Sequence, residues 1–122
     1  MKSRWISYKG KQIFYMDFSG FGHDVASVKA EINATTEIVK QQPEGSILGL
    51  TDMRGTTISS EVAELFKNSG ATIQKYFKKQ ALVGMAGGFR AVIFQAVSRV
   101  IGVDGKLFDD IEPAKDWLVG AD

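Results

Sequence analysis

The chain has 122 residues, 44% of them hydrophobic and 24% charged, which fits one globular domain with a proper core and argues against a disordered or low-complexity chain. Fifteen Lys and Arg against fourteen Asp and Glu leave a formal net charge of +1, too even a balance for a protein built chiefly to hold nucleic acid or an anionic membrane. Cysteine is absent and histidine occurs once, so disulfides, thiolate or multi-histidine metal sites and a cysteine nucleophile are excluded. Residues 1–9 hold no apolar stretch of signal-peptide length. No run approaches the roughly 18 apolar residues of a spanning helix, so the expected location is cytoplasmic, with no membrane span. With no repeat and only Pro43 and Pro113, residues 1–122 read as a single domain.

The first element is a short strand from Arg4 to Lys9, carrying Trp5, Ile6 and Tyr8. Gly10-Lys11 suits a tight hairpin turn. Ile13-Phe14-Tyr15-Met16 is apolar on both faces, as a strand covered on both sides should be, and Gly20 and Gly22 break it. Asp24 is placed to cap a helix whose apolar positions are Val25, Val28, Ile32 and Val39, with Lys29, Glu31 and Lys40 elsewhere on it. Pro43 stops that helix near Gln42. Ile47-Leu48-Gly49-Leu50 is a second buried strand, and Thr51 to Thr57 leave it as a polar loop. Ser59 or Ser60 caps the next helix, whose stripe is Val62, Leu65, Phe66, Ile73 and Phe77. Lys75, Lys78 and Lys79 fall in or after its last turn, where cations are favoured.

Ala81-Leu82-Val83-Gly84-Met85 reads as a third buried strand. Gly87-Gly88 turns into a third helix with Phe89, Val92, Ile93, Ala96, Val97, Val100 and Ile101 inside. Lys106-Leu107-Phe108 is a short strand, and Ile111, Ala114, Trp117 and Leu118 line a fourth helix with Pro113 in its first turn. Strands separated by crossover helices pair in parallel, whereas the hairpin makes the first strand antiparallel. The expected product is an α/β domain with a mixed sheet of about five strands, a common sheet size, and four helices.

The segments Gly10-Lys11-Gln12-Ile13-Phe14-Tyr15-Met16-Asp17-Phe18-Ser19-Gly20, Gly45-Ser46-Ile47-Leu48-Gly49-Leu50-Thr51-Asp52, Ala81-Leu82-Val83-Gly84 and residues 108–118 resemble the STAS domain, the fold of bacterial anti-sigma-factor antagonists and sulfate-transporter tails. Within it the chain looks most like the small bacterial SpoIIAA-like family, whose members are also compared with CRAL-TRIO lipid-binding domains. The resemblance spans nearly the whole chain, and its motifs speak for fold more than for activity. It implies a non-enzymatic regulatory module without a cofactor, whose occupants are a protein partner, a second copy of the chain, or a small anionic or lipidic ligand. Phosphorylatable antagonists carry Asp-Ser-Ser or Asp-Ser-Thr at the start of the second helix. Here the segment is Ile58-Ser59-Ser60-Glu61, and the missing acid argues against a kinase switch.

Open α/β sheets gather ligands at the carboxyl ends of their strands. That edge should collect Asp17, Asp52, Arg54, Thr56, Thr57, Ser59, Ser60, Gly87, Gly88 and Arg90. Asp52 and Arg54 leave one strand and either pair, hold a polar ligand, or order their own loop through Asp52. Gly87 and Gly88 open a helix with Arg90 close behind, an arrangement suited to an anion or simply to a tight turn. His23-Asp24 is a base with an orienting group only if the two face each other, which adjacent residues rarely do. Asp109, Asp110, Glu112 and Asp116 fit a solvated first turn better than a cation loop. The Lys75-Tyr76-Phe77-Lys78-Lys79 cluster fits a helix end with snorkelling lysines better than a nucleic-acid or headgroup contact. The leading expectation is a protein-contact module working through residues 56–60. A ligand carrier using Gly87, Gly88 and Arg90 comes second, and an enzyme last, because no catalytic constellation is visible.

Overall fold

The chain turns back on itself within its first ten residues. Strand β1 (Arg4–Tyr8) and strand β2 (Lys11–Asp17) form an antiparallel hairpin with Tyr8 opposite Lys11, so the two loop residues are Lys9 and Gly10. Both take positive φ, 49° and 80°, the backbone of a hairpin turn that matches the twist of its strands. The turn therefore sits one residue earlier than Gly10-Lys11. The structure, a computed structural model, describes residues 1–84 and 105–120.

Helix α1 (Val25–Val39) crosses from β2 to β3 (Ile47–Asp52). Helix α2 (Ser60–Ile73) and a 3-10 turn (Gln74–Tyr76) then lead to β4 (Phe77–Val83). Strand β5 (Gly105–Phe108) and helix α3 (Ile111–Val119) complete the described part. The sheet order is β1-β2-β3-β4-β5, with β1 antiparallel and the other four strands parallel. This is the mixed five-stranded sheet the sequence calls for. The described residues hold three α-helices rather than four. The helix expected to begin after Gly87-Gly88, with Val97 and Ile93 inside, lies outside the described residues.

The crossovers β2-α1-β3 and β3-α2-β4 step across the sheet in the same direction, and right-handed connections then put α1 and α2 on the same face. On that face Phe14, Met16, Phe18, Val28, Ile32, Val39, Ile47, Met53, Val62 and Ile73 form one core. On the other face Ile13, Tyr15, Leu48, Leu50, Ala81 and Val83 pack with Ala114, Leu118 and Val119 of α3. The alternation of Ile13, Phe14, Tyr15 and Met16 between the two clusters is the pleat of a strand buried on both sides. Caps follow the expected chemistry: Asp24 accepts from Ser27 N at 3.1 Å, and Ser59 accepts from Val62 N at 3.2 Å. Among the described residues no helix is long and apolar enough to cross a membrane.

Two elements depart from the sequence reading. Strand β4 begins at Phe77, four residues before Ala81, because Phe77, Lys79 and Gln80 pair with the start of β3. Consequently Lys78 and Lys79 lie on a strand and not at the end of α2, where Lys75 alone remains close, in the 3-10 turn. Glu31, read as lying off the apolar positions of its helix, is not exposed. It is buried, and its carboxylate accepts from Ser3 N at 2.9 Å and Ser3 Oγ at 2.6 Å, while Ser3 Oγ accepts from Asp17 N at 2.9 Å. A buried carboxylate is stable only when so paired.

At the end of β4, Gly84 takes φ +90°, and a Cβ there would lie 2.9 Å from the backbone nitrogen of Arg54. Gly84→Ala should therefore lower stability by about 1–3 kcal/mol, through backbone strain and forced displacement of the 53–54 segment. A urea midpoint equal to that of the unmodified protein would contradict this packing.

Candidate functional site

The four parallel strands finish level with one another. Asp17 pairs with Asp52, Asp52 with Val83, and Val83 with Phe108, so their carboxyl ends make a straight edge. Beyond that edge the loops after β2 and β3 stay hydrogen-bonded. Phe18 N donates to Asp52 O at 3.0 Å, Gly20 N to Arg54 O at 2.9 Å, Gly22 N to Gly55 O at 2.9 Å and Thr57 N to Gly22 O at 2.8 Å. The loop carrying Asp52, Arg54, Thr56 and Thr57 is therefore an extension of the sheet, clipped to residues 18–22.

Asp52 anchors the arrangement. It is fully buried at the end of the central strand, and its two oxygens take four hydrogen bonds. Oδ1 accepts from Arg54 N and from Arg54 Nε, both at 3.0 Å. Oδ2 accepts from Arg54 Nη2 at 2.9 Å and from the Tyr15 hydroxyl at 2.7 Å. The fork of the guanidinium thus meets the carboxylate in bidentate fashion. Burial pushes Asp52 up, but Arg54 and Tyr15 outweigh it and hold the carboxyl below the usual Asp value. Burial, and then the bond to Asp52, push the Tyr15 hydroxyl well above the ordinary tyrosine value. Hydrogen bonding to Asp52 likewise raises Arg54. Two of the three sequence readings of Asp52 hold together: it orders its own loop through Arg54 N and it pairs with the Arg54 side chain.

The remaining candidates divide by exposure. Thr56 is buried, accepting from Phe21 N at 3.1 Å and donating to Phe18 O, so it locks the loop from inside and is not a contact residue. Arg54 keeps 49% of its side chain exposed. Thr57 and Ser59 are half-buried, Ser59 serving as the cap of α2, and Ser60 is exposed. Gly87, Gly88 and Arg90 lie outside the described residues.

Sequence reasoning passed over Tyr15 and Arg4. Tyr15 was read as core, and the signal that could have found it is a tyrosine two residues before the strand end that brings Asp17 level with Asp52. Arg4 lies with its guanidinium 4.8 Å from the Tyr15 ring centre, and its Nη1 is 3.7 Å from Asp17. Asp24, Asp110, Glu112 and Asp116 have structural partners. Asp24 holds Ser27, and the Ser27 hydroxyl and amide lower its carboxyl. Asp110 accepts from Ile111 N, Glu112 meets Lys115 at 2.7 Å, and Asp116 accepts from Lys9 at 2.9 Å and Tyr8 at 2.5 Å. Among the described residues no three His, Cys, Asp or Glu side chains converge as a metal site.

No family model matches the sequence, and no curated protein matches it significantly. A solved structure does: an uncharacterised protein of the DUF3478 family with a SpoIIAA-like fold, from Shewanella loihica PV-4. The two superpose with a TM-score of 0.70 over 95% of this chain and 91% of the other, at 17% sequence identity. The chain therefore has the SpoIIAA-like fold.

Removing the charge at Asp52 tests the anchor. Because the folded carboxyl titrates below the unfolded one, its stabilisation is fully present above about pH 4, the ordinary Asp value, and is lost as the pH falls through the folded value. Asp52→Asn should cost about 1.5–3 kcal/mol at neutral pH, the usual worth of hydrogen bonds to a charged group. The gap between variant and unmodified protein should close on acidification, read from urea midpoints at several pH values. A gap that stays constant down to pH 2 would contradict this role.

Proposed function

We propose that the chain is a non-enzymatic binding or regulatory module that works through protein contacts on the surface carried by residues 54–60. The observation that carries the reading is the clipped loop. Residues 52–57 are held by backbone bonds to residues 18–22 and by two buried side chains, Asp52 and Thr56. Arg54, Thr57 and Ser60 are then offered to solvent in a fixed arrangement, which lowers the ordering cost of docking a partner.

The chemistry of the edge favours contact over catalysis. Asp52 is neutralised by Arg54, and the Tyr15 hydroxyl is driven away from ionisation. Neither group is a ready base or nucleophile. The SpoIIAA-like fold agrees with the resemblance to antagonists that act by docking, although a fold alone licenses no particular role.

A photo-crosslinking side chain at Thr57, with the same group at Lys29 on the exposed side of α1 as control, tests the surface in cells of the source organism. A discrete adduct is expected from position 57, reduced several-fold by Arg54→Ala. Equal adducts from both positions, or none from 57, would refute the reading.

The same reading makes docking independent of phosphate. No acid precedes Ser59 and Ser60, Ser59 Oγ already accepts from Val62 N, and Glu61 follows at once. The native protein should carry no stoichiometric phosphate on either serine. An intact-mass spectrum with a major form one phosphate heavier, mapped to Ser59 or Ser60, would show the opposite.

A further inference from the structure

We infer that the opposite edge of the sheet, where the parallel strands begin, holds a binding cleft for a small amphiphilic anion, a carboxylate or phosphate carried on a compact apolar body. This cleft is separate from the 54–60 surface and does not depend on it. Its volume is about 480 Å³, inside the range of about 300–1,000 Å³ common for ligand sites. Four elements line it: Lys11 and Gln12 at the start of β2, Ser46 and Leu48 at β3, Lys78 and Lys79 at β4, and Leu118 to Gly120 at the end of α3.

The charge of the lining is one-sided. Among the described residues three lysines and no acid border the cleft. Among the described residues seven lysines form no ion pair, and three of them, Lys11, Lys78 and Lys79, share this one concavity. In a chain of net charge +1, three uncompensated cations around one concavity concentrate a positive potential there.

Two of these cations are positioned in advance. Lys11 Nζ donates to Val119 O at 3.0 Å and Lys79 Nζ to Trp117 O at 3.0 Å, reaching the end of α3 from strands on either side of β3. Each ammonium has three N–H groups and gives one to a carbonyl; Lys11 keeps two for a ligand, while Lys79 also lies 5.0 Å from the Trp117 ring centre. The same bonds cover carbonyls at the negative end of the helix, which would otherwise repel an anion. Lys78 is exposed and adds the third charge without a structural duty.

The apolar part of the lining sets the ligand class. Leu48, Leu118 and Val119 are 8%, 2% and 7% exposed, so they form a recessed floor and not a protruding wedge. A recessed floor suits a small molecule that brings its own apolar body inward. It does not suit insertion into a bilayer, which needs projecting apolar side chains.

Amide NMR titrations with hexyl phosphate, hexanoate and inorganic phosphate decide the matter. The two amphiphiles should give saturable shifts centred on Gln12, Ser46, Lys79 and Gly120, and the preferred one identifies the head group. Inorganic phosphate should bind at least tenfold more weakly than that amphiphile. Lys78→Glu and Gln12→Glu should each weaken binding at least tenfold while leaving the urea midpoint unchanged, since both side chains are exposed. Absent saturation, shifts spread over all lysines, equal affinity for inorganic phosphate, or indifference to both variants would overturn the proposal.

Discussion

A buried carboxylate at the end of the central strand sets the terms for the carboxyl edge of the sheet. Asp52 has no contact with water, and an unpaired charge in that position would cost several kcal/mol. Its partners must therefore stay in place. Arg54 folds back on it through the backbone amide and the guanidinium, and Tyr15 reaches it from the neighbouring strand. Satisfying one charge thus fixes the turn after β3, the rotamer of Arg54 and the hydroxyl end of Tyr15 together.

That constraint propagates along the edge. With residues 53–54 held, Gly84 closes against them without a side chain, bringing the end of β4 alongside. The loop after β2 then lies parallel to the loop after β3, and Thr56 ties the two from within. A second buried carboxylate, Glu31, acts similarly at the N-terminus by holding Ser3, whose hydroxyl receives the Asp17 amide. The edge is rigid because polar groups, and not only apolar packing, define it.

The two edges of the sheet offer different chemistry. At the carboxyl edge, acids and guanidinium groups neutralise each other and leave a shaped polar surface, with Arg54 paired yet half exposed. At the amino edge, lysines outnumber acids and surround a recessed apolar floor. The first is suited to a partner that reads shape, and the second to a ligand that supplies the missing negative charge.

The alternating elements, the antiparallel first strand and the division of Ile13, Phe14, Tyr15 and Met16 between two faces were legible in the sequence. They rest on local pattern, since a strand's pleat and a helix's period repeat within a few residues. The caps were legible for the same reason, Asp24 singly and Ser59 as one of two serines, because the bonds they form are three residues long. The grouping of Asp52 with Arg54 was also local. Its burial was not, nor was the part of Tyr15, which stands 37 residues away and meets Asp52 only because β2 and β3 pair in that register. Thr56 read as an exposed loop hydroxyl and lies inside, since its partners Phe18 and Phe21 belong to another loop. Lys78 and Lys79 read as the end of a helix and instead line a cleft, because strand pairing with β3 outweighed local propensity and put them beside α3, nearly 40 residues on. Sequence by itself determined the order of strands and helices among the described residues and which of their faces are apolar, because those follow from neighbours along the chain. Only the tertiary structure decided which charges are buried, paired or left unpaired around a cleft, because those depend on partners that folding brings from far away.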